Sequence, residues 1–168
     1  YDLRGNNTRT EFFGVNGKPI LNTFGFASYR RAFDAQGNRT GIEFFDASGK
    51  PALIGEGYAI YRGTFDERGN EIGTAFFGVD GKPVLTKYDY SSTQRTYDAA
   101  GNPSGAMFFG VDGELILTEH GIAQYTRMFD ERGNVTATAY FGVDGKPTLT
   151  VFGYASLEDT YDGRGNLI

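Results

Sequence analysis

Three groups of side chains in this sequence are of types that chemistry uses. The first is a series of aspartates, each opening an Asp-x-x-Gly-Asn run: Asp2, Asp34, Asp66, Asp98, Asp130 and Asp162. Loop carboxylates raise the question of calcium. Each run offers one carboxylate, whereas Ca²⁺ takes about 6–8 oxygen ligands. Capping of the turn's own backbone accounts better for these acids. The second group is the single histidine, His120. Acid–base or metal chemistry needs partners at usable geometry. The equivalent positions elsewhere are Phe24, Glu56, Tyr88 and Phe152, so His120 reads as the occupant of a variable slot. The third is a tyrosine column, Tyr29, Tyr61 and Tyr125, interrupted by Thr93 and Leu157. Exposed, such rings would stack on sugar rings or peptide; buried, they are core. They are the only ligand-contact candidates, and core is the favoured reading. The acid pair Glu158-Asp159 has no repeated counterpart and reads as solvated surface rather than a glycosidase pair. No Gly-x-x-x-x-Gly-Lys-Ser/Thr phosphate loop occurs. The sequence therefore assigns no catalytic residue, no metal and no cofactor.

The elements that hold these residues follow one period. The Tyr/Phe-Asp-x-x-Gly-Asn signature begins at Tyr1, Phe33, Phe65, Tyr97, Phe129 and Tyr161, always 32 residues apart. The chain is thus a single repeat domain, residues 1–168, of five copies: 1–32, 33–64, 65–96, 97–128 and 129–160, with a stub at 161–168. An unbroken period means each copy meets its neighbour in the same way. Two turn signals punctuate each copy. Asp66-Glu67-Arg68-Gly69-Asn70 fits a type I turn closed by a glycine in a G1 bulge. Asp80-Gly81, with Asn16-Gly17, Ser48-Gly49, Asp112-Gly113 and Asp144-Gly145, fits a two-residue type I′ loop.

Strands occupy the intervals. Tyr58–Phe65 alternates so that Ala59, Tyr61 and Phe65 share a face. The run from Asn70 to Val79 ends in the aromatic pair Phe76-Phe77, whose members point to opposite faces. Phe77 is Phe in every full copy and is expected to be buried. A short third run, Lys82–Thr86, carries a leucine repeated as Leu21, Leu53, Leu85, Leu117 and Leu149. Gly25, Gly57, Gly121 and Gly153 then bend the chain into the next copy, with Asp89 in that place in copy three. No helical period appears.

The fold class is all-β: tandem 32-residue β-hairpin repeats forming a curled or superhelical antiparallel sheet. A one-coil-per-repeat solenoid would stack like-charged aspartates about 4.8 Å apart, which is unfavourable. Two or three antiparallel strands per copy separate them by roughly 10–14 Å. The alternative is closure into a five-fold, propeller-like ring.

Bulk properties narrow the function. The 168 residues include 25 Gly, 15 Phe and 11 Tyr, with no Trp and no Cys. Thiol chemistry and a disulfide scaffold are excluded. A net charge of −5 without a basic face excludes an ordinary nucleic-acid binder. No apolar run approaches the ~20 residues of a membrane helix, so no membrane insertion is expected. There is no signal-peptide pattern, and Tyr1 already lies inside the repeat, so the chain reads as a segment of something longer. The compartment stays open, with an extracellular or cell-surface setting slightly favoured.

The Tyr97-Asp98 and Gly101-Asn102 pairs, repeated through the chain, resemble the YD repeats of bacterial RHS-type proteins, whose strands spiral into a β-shell. FFDASGKPAL, from Phe44, is similar to the aromatic-aromatic-Asp-x-x-Gly-Lys pattern of glucan- and choline-binding cell-wall repeats. Both resemblances imply bacterial, non-enzymatic modules. The expected function is a structural or protein-interaction repeat of a larger bacterial protein, its partner another protein or flanking domains of the same chain. A module that binds cell-wall polysaccharide is the alternative, with glycan as the ligand.

Overall fold

A computed structural model describes all residues, Tyr1–Ile168. The chain has no helix, so none is long and apolar enough to cross a membrane. Ten strands form one antiparallel sheet in strict sequence order. They are β1 (Arg9–Glu11), β2 (Ser28–Phe33), β3 (Arg39–Phe45), β4 (Ile60–Phe65), β5 (Glu71–Phe77), β6 (Ser92–Tyr97), β7 (Pro103–Phe109), β8 (Gln124–Phe129), β9 (Val135–Phe141) and β10 (Ser156–Glu158). The sheet is open: β1 and β10 are its edges and do not pair with each other, so the ring alternative is set aside.

The Asp-x-x-Gly-Asn signature closes each hairpin as the sequence predicts. Gly69 has φ +83°, and the β4–β5 register shifts between Thr64 and Phe65, as a bulge requires. The Asp66 carboxylate accepts the backbone N–H of Arg68 at 2.9 Å and of Asn70 at 2.8 Å, and the Asn70 side-chain amide at 2.9 Å. That amide, first among the causes, holds Asp66 below the usual carboxylate range. The same holds at Asp2, Asp98, Asp130 and Asp162.

The second turn is not the type I′ loop expected from its Asp-Gly pair. Only Gly81 has positive φ there. Gly78 N–H donates to the Lys82 carbonyl at 2.8 Å, and Gly81 N–H to the Gly78 carbonyl at 3.1 Å. That is the hydrogen-bond pattern of the Asp66–Asn70 turn, with a different residue in front. The Gly57 position completes a third turn of the same kind. Ile54 N–H donates to Tyr58 O at 2.9 Å and Gly57 N–H to Ile54 O at 2.9 Å. Each copy therefore uses one turn three times. Fifteen glycines and Asp89 (φ +65°) supply the left-handed residue, one for each of the 16 turns. Asp89 is the single place where a side chain occupies that region, at a cost glycine avoids.

The third run is not a full strand. It touches the sheet through isolated bridges such as Phe77↔Pro83, extended by Val84 N–H to Phe76 O at 3.1 Å. The chain then leaves the sheet, makes the third turn and returns as the next strand. Successive third turns hydrogen-bond to one another. Gly55 N–H donates to Phe24 O at 3.3 Å, Lys87 to Glu56 at 2.9 Å, Glu119 to Tyr88 at 3.5 Å, and Val151 to His120 at 3.0 Å. This row contributes Ile54 to a buried cluster with Phe26 and Phe44. The cover for the aromatic face is thus built from turns.

The buried members of the aromatic pairs differ from expectation. Phe77 is half-buried and its counterpart Phe13 is 57% exposed. In the first two copies the first member of the pair is the more buried: Phe12 is half-buried beside exposed Phe13, and Phe44 is 7% exposed beside half-buried Phe45. Strand alternation puts the two on opposite faces, and only the face of the first lies under the turn row. Ala59 and Tyr61 are buried and Phe65 half-buried, as the alternation of that strand predicts.

Candidate functional site

The most distinctive surface of the sheet is a zigzag of rings under the turn row. It is built from two positions per copy: the first of the aromatic pair, and the residue that ends the third turn. Phe12 and Phe26 have centroids 5.8 Å apart, Phe26 and Phe44 4.8 Å, and Phe44 and Tyr58 6.0 Å. Tyr58 and Phe76 follow at 4.7 Å, Phe76 and Tyr90 at 6.0 Å, and Tyr90 and Phe108 at 5.1 Å. These tilted and edge-on contacts suit the quadrupoles of the rings. Burial pushes the Tyr58 hydroxyl up to about 12, with Glu56 adding to it, and burial also raises Tyr90 and Tyr140.

The zigzag stops at Ile122. The residue ending the third turn is Phe26, Tyr58, Tyr90 and Tyr154 in the other copies. Beyond the aliphatic side chain of Ile122, ring contact resumes only at Tyr140–Tyr154, 6.0 Å. A cleft of about 330 Å³ lies at this interruption, lined by Phe108, Ile122, Tyr125, Arg127 and Tyr140, with Glu119 and His120 among its other walls. His120 and Glu119 are exposed, Arg127 is half-buried and Ile122 is buried. His120 sits in the third turn, where its carbonyl joins the turn row.

The tyrosine column lies beside the zigzag. Tyr61 is buried; its ring meets Phe76 at 6.0 Å and Arg39 at 5.5 Å, and its hydroxyl donates to Glu71, which also pairs with Arg95. Tyr29 is half-buried, with the Arg31 guanidinium 4.5 Å from its ring centroid and Arg31 Nη2 donating to its hydroxyl at 2.9 Å. Tyr125 is half-buried, 6.3 Å from Phe108 and capped by Arg127 at 4.7 Å. At the first interruption Thr93 is buried and shares a 2.7 Å hydroxyl–hydroxyl hydrogen bond with Thr74. Of the three tyrosines, Tyr125 alone borders the large cleft. The column does not form a continuous exposed strip.

A second repeated feature is apolar and exposed. Leu21, Leu53, Leu85, Leu117 and Leu149 are 51, 51, 42, 47 and 64% accessible. Val15, Val79, Val111 and Val143, each the second residue of the second turn in its copy, are also exposed. Each copy adds two strands, so equivalent side chains recur at about 10 Å intervals.

Sequence reasoning identified the column but not the zigzag or the cleft. The signal was the position occupied by Phe26, Tyr58, Tyr90, Ile122 and Tyr154, in which one residue lacks a ring. No protein-family model matches this sequence, and no curated protein is detectably similar to it.

Proposed function

We propose that the chain is a non-enzymatic structural or protein-interaction module of a larger bacterial protein, acting through its repeated surface. The observation that carries this reading is the exposed leucine in every copy. A single exposed leucine is ordinary, but a regular series of five is a ready apolar docking strip. Weak contacts repeated at a fixed interval add by multivalency. The YD-like signature supports a bacterial origin, and a protein partner or flanking domains of the same chain are the natural occupants.

The second reading, a module for cell-wall polysaccharide, rests on Tyr125, whose half-buried ring borders the large cleft. Tyr29 and Tyr61 support it less, because their faces and hydroxyls are engaged within the fold. A glycan array run beside a crosslinking pull-down separates the two. The first reading expects protein capture that is lost in a Leu53→Ser, Leu85→Ser, Leu117→Ser variant that retains its β-sheet spectrum. Saturable glycan binding, lost in a folded Tyr29→Ala, Tyr61→Ala, Tyr125→Ala variant, would replace it with the second.

A further inference from the structure

We propose that the cleft at Ile122 is a binding site for a single aromatic ring bearing an anionic or hydroxyl acceptor. The fold itself defines what fits there. In the two preceding copies a tyrosine bridges the flanking rings: Tyr58 lies between Phe44 and Phe76, and Tyr90 between Phe76 and Phe108. Phe108 and Tyr140 are the corresponding flanking rings around Ile122, and no ring of the chain bridges them. The cleft of about 330 Å³ that they line is large enough for one substituted ring. A ligand ring there would make the tilted contacts that a tyrosine makes one copy earlier.

Arg127 sets the preference for an acceptor. At the equivalent positions, Arg31 donates to the Tyr29 hydroxyl and Arg95 pairs with Glu71. Arg127 stacks on Tyr125 and joins none of the chain's ion pairs. Arg127 is half-buried, so a charge-assisted hydrogen bond from it to a ligand oxygen is less screened than one from a fully exposed side chain. Glu119 is the opposing charge in the lining, but it is exposed. The inference is independent of the leucine strip and of the interaction role proposed above.

The test uses the whole chain and three small probes: 4-hydroxyphenylacetate, tyramine and glucuronate. Affinity is measured by titration calorimetry and by chemical-shift mapping. For a ligand of this size the expected Kd of 4-hydroxyphenylacetate is about millimolar. Tyramine, with the same ring and the opposite charge, should bind several-fold more weakly, and so should glucuronate. Ile122→Tyr supplies the missing ring from within and should abolish binding while keeping the fold. Arg127→Gln should erase the preference for 4-hydroxyphenylacetate over tyramine while both still shift Phe108 and Tyr140. The proposal is overturned by no saturable binding to the wild type, by undiminished binding to a folded Ile122→Tyr, or by tighter binding of tyramine or glucuronate.

Discussion

Replacing Phe76 by alanine removes a ring at the centre of the zigzag, and its cost follows from the packing. Phe76 meets three rings, Tyr58 at 4.7 Å, Tyr61 at 6.0 Å and Tyr90 at 6.0 Å. A fully buried Phe→Ala change costs about 3–5 kcal/mol, and each aromatic pair is worth about 0.5–1.5 kcal/mol beyond its area. Phe76 is half-buried, which lowers the area share but not the pair contacts. The expected loss is about 2–4 kcal/mol. Phe77→Ala is the internal control. It removes the same atoms one residue along, also from a half-buried site, but on the face away from the turn row. No ring pairs with Phe77, so its loss should be at least about 1 kcal/mol smaller. Urea titrations of both variants, followed by far-UV circular dichroism, give the comparison. Because copies couple only to neighbours, a weakened third copy should also split the array, lowering the apparent m-value of Phe76→Ala. Equal losses, or a larger loss for Phe77→Ala, would refute the assignment of the zigzag as the core.

Three further outcomes follow from the same structure. Asp89→Gly relieves the one non-glycine left-handed residue and should raise stability by about 0.5–1 kcal/mol; an unchanged or lower melting temperature contradicts the turn assignment. Thr93→Val strands the buried Thr74 hydroxyl and should cost about 1–3 kcal/mol, with the double change Thr74→Val, Thr93→Val recovering part of it; additive losses in the double-mutant cycle would mean the 2.7 Å contact contributes nothing. The turn aspartates have lowered folded-state values, so their stabilisation is complete above the ordinary aspartate value near about 3.9 and is lost as pH falls through the folded value. Melting temperature should therefore hold on acidification to about pH 5 and decline below pH 4, and Asp66→Asn should flatten the decline.

Much of this architecture is legible in the sequence because its signals are local. The 32-residue period, the alternation that buries Ala59 and Tyr61, and the bulge at Gly69 each depend on a few adjacent residues. One misread part is local, the second turn, and the others depend on contacts between copies. Asp80-Gly81 has the composition of a type I′ loop, but the flanking bonds from Gly78 make it the same turn as Asp66–Asn70. Gly57 reads as a bend until its turn is seen bonded to the next copy through Glu56 and Lys87. That row decides which face is covered, and hence that Phe44 and not Phe45 is buried. Alternation alone separates two faces without saying which one has a lid. The cleft is hidden for the same reason. Ile122 is an unremarkable apolar residue until the rings on both sides of it are known to belong to one zigzag.

Small-angle scattering on a length series tests the central claim, an open sheet to which each 32-residue copy adds two strands. Chains with five, six and eight copies, made by duplicating residues 65–96, should lengthen by about 10 Å per added copy. Their cross-section should stay constant. A maximum dimension that stays level as copies are added, or a compact ring at five copies, would contradict it.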